Sequence, residues 1–129
     1  MRPPTQASAK KRAWKAFSEY IRARDKHCIT CSGQADQAGH FLHNGDKGSN
    51  PNLGGNELWY DPRNVHGQES SCNLYKSGNG SVYAVRLVEK YGDGIIQELY
   101  KLFNTPKKWT LEEVLEKEQY FIKKKEELL

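Results

Sequence analysis

Three cysteines constrain the fold of this chain more than any other feature of its sequence. Cys28 and Cys31 form a Cys-x-x-Cys pair, CITC, and Cys72 follows much later in the chain. Three cysteines cannot all pair within one chain, and outside the secretory pathway such a pair is typical of a metal knuckle or a redox pair. Two sulfurs on one tight turn suit tetrahedral zinc, and Cys72 can supply a third thiolate.

The sequence leaves the fourth zinc ligand open. In a closed second knuckle the ligand would lie three residues before Cys72, where the chain has Glu69. A carboxylate can bind zinc, and His66 and His27 are further candidates. The alternatives are a weakened or lost zinc site and a set of buried or redox-active cysteines. We favour a structural zinc ion, for which the predicted ligands are Cys28, Cys31, Cys72 and Glu69.

The composition supports only a small hydrophobic core, so a bound metal would help to stabilise the fold. The chain has 129 residues, of which 36% are hydrophobic, and its mean hydropathy is −0.87. This length predicts one domain. No apolar run reaches the length of about 18 residues that a membrane span needs. The segment MRPPTQASAKKRAWKAF has no hydrophobic signal core, so we expect a cytoplasmic protein.

Basic residues are concentrated at the start of the chain. The net charge is +4, and residues 1–26 carry eight basic side chains but only two acidic ones. From Pro106 onward, six lysines balance six glutamates. A basic front end favours a polyanionic partner such as DNA, and the alternative is a solubilising tail. The candidate phosphate contacts in this segment are Lys11, Arg12 and Lys15.

A helix with one basic face is predicted near the N-terminus. We expect residues 1–9, which include Pro, Thr, Gln and Ser, to form a disordered tail. Within residues 10–24, Trp14, Phe17 and Ile21 recur at helical spacing. We interpret this apolar stripe as core packing, which leaves the basic face available to phosphates.

The middle of the chain predicts two short strands and a short helix. Residues 37–42 and 58–60 are the strand candidates, separated by the Gly- and Asn-rich loop 43–57. A loop of this length is long for a hairpin and is typical of functional or mobile segments. After a turn at Asp61-Pro62, a short helix is expected over residues 70–76.

Three further helices are predicted in the C-terminal half. The first spans residues 81–91 and stops at Gly92, a common residue beyond a helix end. Asp93 is predicted to cap the second, which carries one apolar stripe. Thr110 and Glu113 form a capping box that begins the last helix.

The order of the polar motifs resembles that of the HNH, or ββα-metal, nucleases. His40 follows the knuckle in AGHF, Asn64 comes after the second strand candidate, and Asn73 directly follows Cys72. Within that superfamily the chain is most similar to the NinG family of lambdoid phages, also called Rap, which are recombination endonucleases. The similarity covers about residues 10 to 120. It rests on AWKAFSEYIRARD, CITC, AGHF and DPRNVHGQESSCNLYKSGN.

The resemblance implies a role for each of these three residues. His40 would be the general base that takes a proton from the attacking water, and Asn64 would hold His40 in place. Asn73 would bind the catalytic divalent ion. A neutral imidazole is a suitable base near pH 7, and an amide oxygen suits Mg²⁺ or Mn²⁺. Lys76 and Arg63 flank the site and are candidate phosphate contacts, with ordinary surface charge as the alternative.

The sequence departs from the family pattern at two positions. Many HNH nucleases have Asp or His just before the base as a second metal ligand, whereas this chain has Gly39. Asp36 and His43 are candidate replacements, as are phosphate oxygens and water. The NinG-like pattern has Cys at the position of Glu69, which puts zinc affinity in question more than the predicted active-site trio.

We therefore expect an α+β fold in which a zinc-stapled ββα-metal (HNH) hairpin-helix module is flanked by N-terminal and C-terminal helices. The module would span residues 27–80 and the C-terminal helices 81–129, within one nuclease domain over 10–129. The expected activity is cleavage of branched recombination DNA, such as D-loops and Holliday junctions, in a phage-infected bacterium. The alternatives are an HNH nuclease for restriction, homing or packaging, and a non-catalytic zinc module that binds DNA. A homodimer through the C-terminal helices is a further hypothesis.

Overall fold

The computed structural model of the chain describes residues 4–43, 55–75 and 79–129. Most of the predicted loop 43–57 and the whole of Lys76 lie outside these ranges. Two short helical turns accompany the regular elements, a 3-10 turn at Pro62–Asn64 and a π-helical turn at Ser71–Tyr75. The regular elements are α1 Gln6–Arg24, β1 Gln37–His40, β2 Val65–Gln68, α2 Gly80–Tyr91, α3 Ile95–Phe103 and α4 Leu111–Glu127.

The first helix begins earlier than the sequence predicted. Thr5 is its N-cap, and the Thr5 hydroxyl accepts a hydrogen bond from the Ser8 backbone N–H at 3.1 Å. Ala9 is already fully buried. The expectation of a disordered tail over residues 1–9 is therefore wrong from Thr5 onward, and residues 1–3 lie outside the described part. The polar composition hid a helix start because Thr is itself a favoured N-cap residue.

The two strands pair as an antiparallel hairpin. Their register places Gln37 opposite Gln68 and His40 opposite Val65. The first strand ends at His40 rather than at residue 42, and the predicted strand over 58–60 is wrong.

Residues 58–60 form turns instead. In a strand the side chains of Leu58 and Tyr60 would share one face, but here they are buried in different clusters. Leu58 joins a cluster with α2 and α3, whereas Tyr60 joins a cluster with α1 and α4. The true second strand, VHGQ, is buried along its whole length, so it shows no alternation of apolar and polar residues. It also contains only one β-branched residue, which removes the other common strand signal.

Two small hydrophobic clusters lie on either side of the hairpin. In the first, the rings of Phe17 in α1 and Phe121 in α4 lie 4.4 Å apart, and Val65 of β2 packs with them. In the second, Tyr83 of α2 packs with Leu99 of α3 and Leu58. Two strands alone would be marginally stable, so these helices stabilise the hairpin from both sides.

The C-terminal helices follow the prediction closely. Gly92 ends α2 with a φ of 100°, in the left-handed region that favours glycine. The capping box of Thr110 and Glu113 is present at the start of α4. Asp93 does not cap α3, whose N-cap residue is Gly94 without a side-chain hydrogen bond. The fold is thus a mixed α+β arrangement, and none of its described helices is long and apolar enough to cross a bilayer.

Candidate metal centre and active site

The three cysteines meet in one cluster. Their Sγ atoms all lie within 4.8 Å of one another. Cys28 and Cys31 share a tight turn in which the Cys28 N–H bonds to the Gly33 carbonyl at 2.7 Å. Ser32 adopts a left-handed φ of 64° in the same turn. Cys72 comes from the π-helical turn on the other side. This cluster can bind a metal such as zinc, as its spacing predicted.

Neighbouring groups in the cluster affect the pKa values of Cys28 and Cys31 in opposite directions. Burial opposes ionisation of Cys28, but hydrogen bonds from the Thr30 hydroxyl and from nearby backbone N–H groups outweigh burial and lower the pKa of Cys28 to about 7. A backbone N–H of the turn also favours the Cys31 thiolate. Burial and the neighbouring thiols and Glu69 carboxylate overcome that effect, and the pKa of Cys31 rises to about 12. Since a bound cation would relieve this repulsion, the cluster suits a metal ion.

Glu69 lies against the exposed side of the cysteine cluster. Its Oε2 atom is 3.3 Å from Cys31 Sγ, and its Oε1 atom accepts a hydrogen bond from Ser71 Oγ at 3.0 Å. A side chain at Gly33 would overlap the Glu69 carboxylate, so glycine makes room for it. This placement favours Glu69 over the other candidates as a fourth zinc ligand, which stays a prediction.

Neither of the two histidines considered as zinc ligands joins the cysteine cluster. His66 is 1% exposed, and its Nε2 and Nδ1 atoms lie 2.8 and 3.3 Å from the hydroxyls of Tyr91 and Tyr83. Burial, and then the positive charge of Arg24, lower the pKa of His66 to about 3. It is therefore a neutral packing residue that joins β2 to α2. His27 is exposed and pairs through its backbone with the residue at position 34.

His40 ends β1 on the face of the hairpin that packs against α1. Its ring stacks on Trp14, with centroids 4.9 Å apart and planes 17° apart. The ring of His43 lies 5.9 Å away. Trp14 is 36% exposed, whereas its helical neighbours Phe17 and Ile21 are fully buried. Assigning Trp14 to the core was therefore wrong, because helical spacing alone cannot distinguish a buried position from the edge of the stripe.

Asn64 holds the chain immediately after His40. It is fully buried, and its side-chain Oδ1 and Nδ2 bond to the backbone N–H and carbonyl of Leu42, each at 2.8 Å. Its own carbonyl accepts from the Phe41 N–H at 2.8 Å. These bonds fix the backbone beside His40, which fits the predicted holding role without testing it.

Asn73 lies on the opposite face of the hairpin, beside Gly39. Its Nδ2 atom donates to Gln37 Oε1 at 2.7 Å. A Cβ atom at Gly39 would lie 3.1 Å from Asn73 Oδ1 and would overlap the amide of Gln68. Three amide side chains, those of Gln37, Gln68 and Asn73, therefore converge at Gly39. The sequence carried one signal for this, because residues 37 and 39 share one face of a strand.

The oxygen donors of this second cluster are the neutral amides of Asn73, Gln37 and Gln68. Mg²⁺ prefers oxygen ligands and commonly takes the rest of its shell from water and substrate phosphates. Asp36 and His43, the two side chains considered as metal ligands in place of residue 39, differ in their distance from His40. Asp36 accepts a hydrogen bond from Ser70 at the far end of β1, about 13 Å along the strand from His40. His43 does lie near His40.

Two of the candidate DNA contacts, Arg12 and Arg63, form ion pairs with carboxylates of the protein. Lys11 and Lys15 are exposed on α1. The Arg12 guanidinium instead bonds to the largely buried Glu118 carboxylate of α4 at 2.9 Å. Arg63 contacts Asp61 at 2.7 Å and Glu98 at 3.0 Å. The two lysines are thus the candidates best placed to meet phosphates.

Comparison with known sequences identifies the family. The sequence model described as "Bacteriophage Lambda NinG protein" matches residues 5–128, which is nearly the whole chain. The chain belongs to the NinG family. This confirms the predicted NinG family, whereas the predicted HNH superfamily stays a prediction.

The curated relatives of the family carry the same printed name, "Protein ninG". Those of Escherichia phage 933W and Salmonella phage P22 are each 35% identical over 109 residues, covering 80% of this chain. The relative from Escherichia phage lambda is 34% identical over the same length. The chain spans about half the length of these relatives, since the matches cover 48–49% of them. No solved structure matches it.

Proposed function

We propose that this NinG protein is a metal-dependent endonuclease of the HNH type, which hydrolyses phosphodiester bonds in DNA. One observation carries the proposal. His40 ends the first strand, buried Asn64 clamps the backbone just after it, and Asn73 lies beside Gly39, the residue just before it. Three polar residues that are far apart in sequence thus lie at the end of one strand, with His40 on one face of the hairpin and Asn73 on the other.

The chemistry assigns one task to each residue. His40 takes the proton from the water that attacks phosphorus, for which a neutral imidazole is suited near pH 7. Asn64 keeps the strand end fixed, and Gln37 orients the Asn73 amide through their 2.7 Å hydrogen bond. A bound Mg²⁺ or Mn²⁺ would be held by Asn73 and by substrate phosphate, and it would stabilise negative charge on the phosphate and on the 3′ oxygen that leaves as its bond to phosphorus breaks.

Zinc has a structural task in this proposal. Cys28, Cys31, Cys72 and Glu69 would hold the ion, which would join the CITC turn to the π-helical turn. Because Asn73 directly follows Cys72, bound zinc would also fix the position of Asn73 relative to β1. Removing the zinc would therefore displace Asn73 and destabilise the hairpin together.

The proposed substrate is branched DNA. The family resemblance supports D-loops and Holliday junctions as targets in phage recombination, within the cytoplasm of the host. Lys11 and Lys15 lie exposed on α1, the helix whose Trp14 stacks on His40, and they would give the phosphate backbone a sequence-independent contact. Salt should weaken this contact steeply, since each neutralised phosphate releases counterions.

A non-catalytic DNA-binding module is the second candidate function. Gly39 favours it, because this position lacks the acidic or histidine ligand that many HNH nucleases use. Such a protein would keep the zinc and the basic helix but would not cleave DNA.

A panel of DNA substrates tests the proposal. The purified chain is incubated with D-loop, four-way junction and linear duplex DNA, with Mg²⁺, Mn²⁺ or EDTA. We expect nicking of the branched substrates that either ion supports and EDTA abolishes. Binding without cleavage on every substrate would contradict the nuclease and establish the binding module. Equal cleavage of linear duplex would contradict the preference for branched DNA alone.

A further inference from the structure

The stack between Trp14 and His40 brings an element from outside the hairpin into the site. We propose that Trp14 is a positioning residue, whose indole holds the His40 imidazole in the orientation from which it acts as a base. The inference rests on the proposed nuclease function. It starts from near-parallel rings, with centroids 4.9 Å apart and planes 17° apart.

Trp14 is itself held firmly. Its ring lies 5.7 Å from that of Phe17 at an angle of 21°, and Phe17 in turn packs on Phe121 at 4.4 Å. Small buried residues on the same helix, Ala13 and Ala16, let α1 approach its neighbours closely. A chain of aromatic contacts therefore runs from α4 through α1 to His40.

The stack acts on the orientation of the imidazole, whereas Asn64 acts on the backbone beside it. Asn64 fixes the backbone at Leu42, which sets the position of the strand end but not the rotation of the ring about its side-chain torsions. A stacked indole restricts those rotations, and aromatic pairs of this geometry have a measurable stabilising energy. Catalytic groups that drift from their working orientation lose rate even when they stay in the site.

The exposure of Trp14 separates this role from plain core packing. A core residue of this helix would be buried like Phe17 and Ile21, which are fully buried, but Trp14 remains 36% exposed. The indole therefore covers His40 at the surface of the protein. It also lies one helical turn from the exposed Lys11, on the surface proposed to meet DNA.

Two apolar substitutions test the contribution of the aromatic ring. Trp14→Phe keeps an aromatic face and Trp14→Leu keeps only apolar volume, so both should fold. Tyr100→Ala, which removes a half-exposed ring from α3, is the control. We measure the His40 ring signals by NMR with ¹³C-labelled histidine, together with kcat and KM for cleavage of branched DNA.

Trp14→Leu is expected to move the His40 ring protons downfield, because the shielding of the indole is lost, and to lower kcat about tenfold with little change in KM. Trp14→Phe should retain part of the shift and most of kcat. Unchanged His40 signals, or a rise in KM at constant kcat, would overturn the inference, the latter because Trp14 would then contact DNA. A wild-type chain that cleaves nothing would instead overturn the proposed function, and the NMR result would still report on the stack.

Discussion

Residue 69 is the predicted fourth ligand of the cysteine cluster. The Glu69 carboxylate lies 3.3 Å from Cys31 Sγ, at the position where the sequence resemblance predicts a fourth thiolate. A carboxylate is a harder ligand than a thiolate, so it suits zinc less well beside three soft sulfurs. The protein should therefore hold zinc more weakly than a four-cysteine relative.

Two substitutions of Glu69 test whether it is a zinc ligand. Glu69→Cys is expected to raise zinc affinity, because it completes a four-thiolate site. Glu69→Ala should lower the affinity by more than about tenfold, which is the least that loss of an outer-shell partner costs a zinc site. Competition with a coloured chelator measures both changes, and zinc content per chain gives the stoichiometry. Equal affinities for wild type and Glu69→Ala would exclude Glu69 as a ligand.

The helices and strands differ in how well the sequence predicted them. The helices after residue 80 were predictable because each has local signals, such as Gly92 and the Thr110 capping box. Strand β2 was not, because its residues are held by tertiary contacts rather than by pattern. His66 packs between two tyrosines, and the Gly67 N–H bonds to Asp25 at 2.9 Å. The cysteine cluster was predictable from spacing, whereas the Trp14 stack depends on where α1 docks.

The packing of β2 on α2 predicts a pH dependence of stability. His66 has its pKa lowered to about 3 when folded, mainly by burial, against about 6.5 in an unfolded chain. Between pH 6.5 and pH 3 the His66 side chain binds a proton in the unfolded state but not in the folded state. The free energy of unfolding therefore falls as the pH decreases toward 3. The slope should approach about 1.4 kcal/mol per pH unit.

Denaturant unfolding between pH 7 and pH 5 measures this contribution. Other groups titrate in the same range, so the informative quantity is the difference between wild type and His66→Gln. The variant should be less stable at pH 7, but its stability should fall less steeply toward pH 5. Parallel pH profiles for the two proteins would show that His66 does not carry the effect.

At the scale of the whole molecule, the candidate site depends on parts from every side of the hairpin. One cluster supports it through α1 and α4, and the other through α2 and α3. The cysteine cluster fixes the turn that carries Asn73, while α1 supplies the ring that covers His40. Only 36% of the residues are hydrophobic, and they form two small clusters. The same contacts therefore stabilise the fold and hold the candidate site residues in place.

The most direct test of the whole account compares His40→Ala with wild type in single-turnover cleavage of a four-way junction. His27→Ala, which removes an exposed histidine outside the site, is the matched control. We predict that His40→Ala loses cleavage by at least about a hundredfold, the usual contribution of a general base, while it binds the junction with unchanged affinity. Cleavage by His40→Ala at the wild-type rate would contradict the assignment of His40 as the base and, with it, the mechanism proposed for this protein.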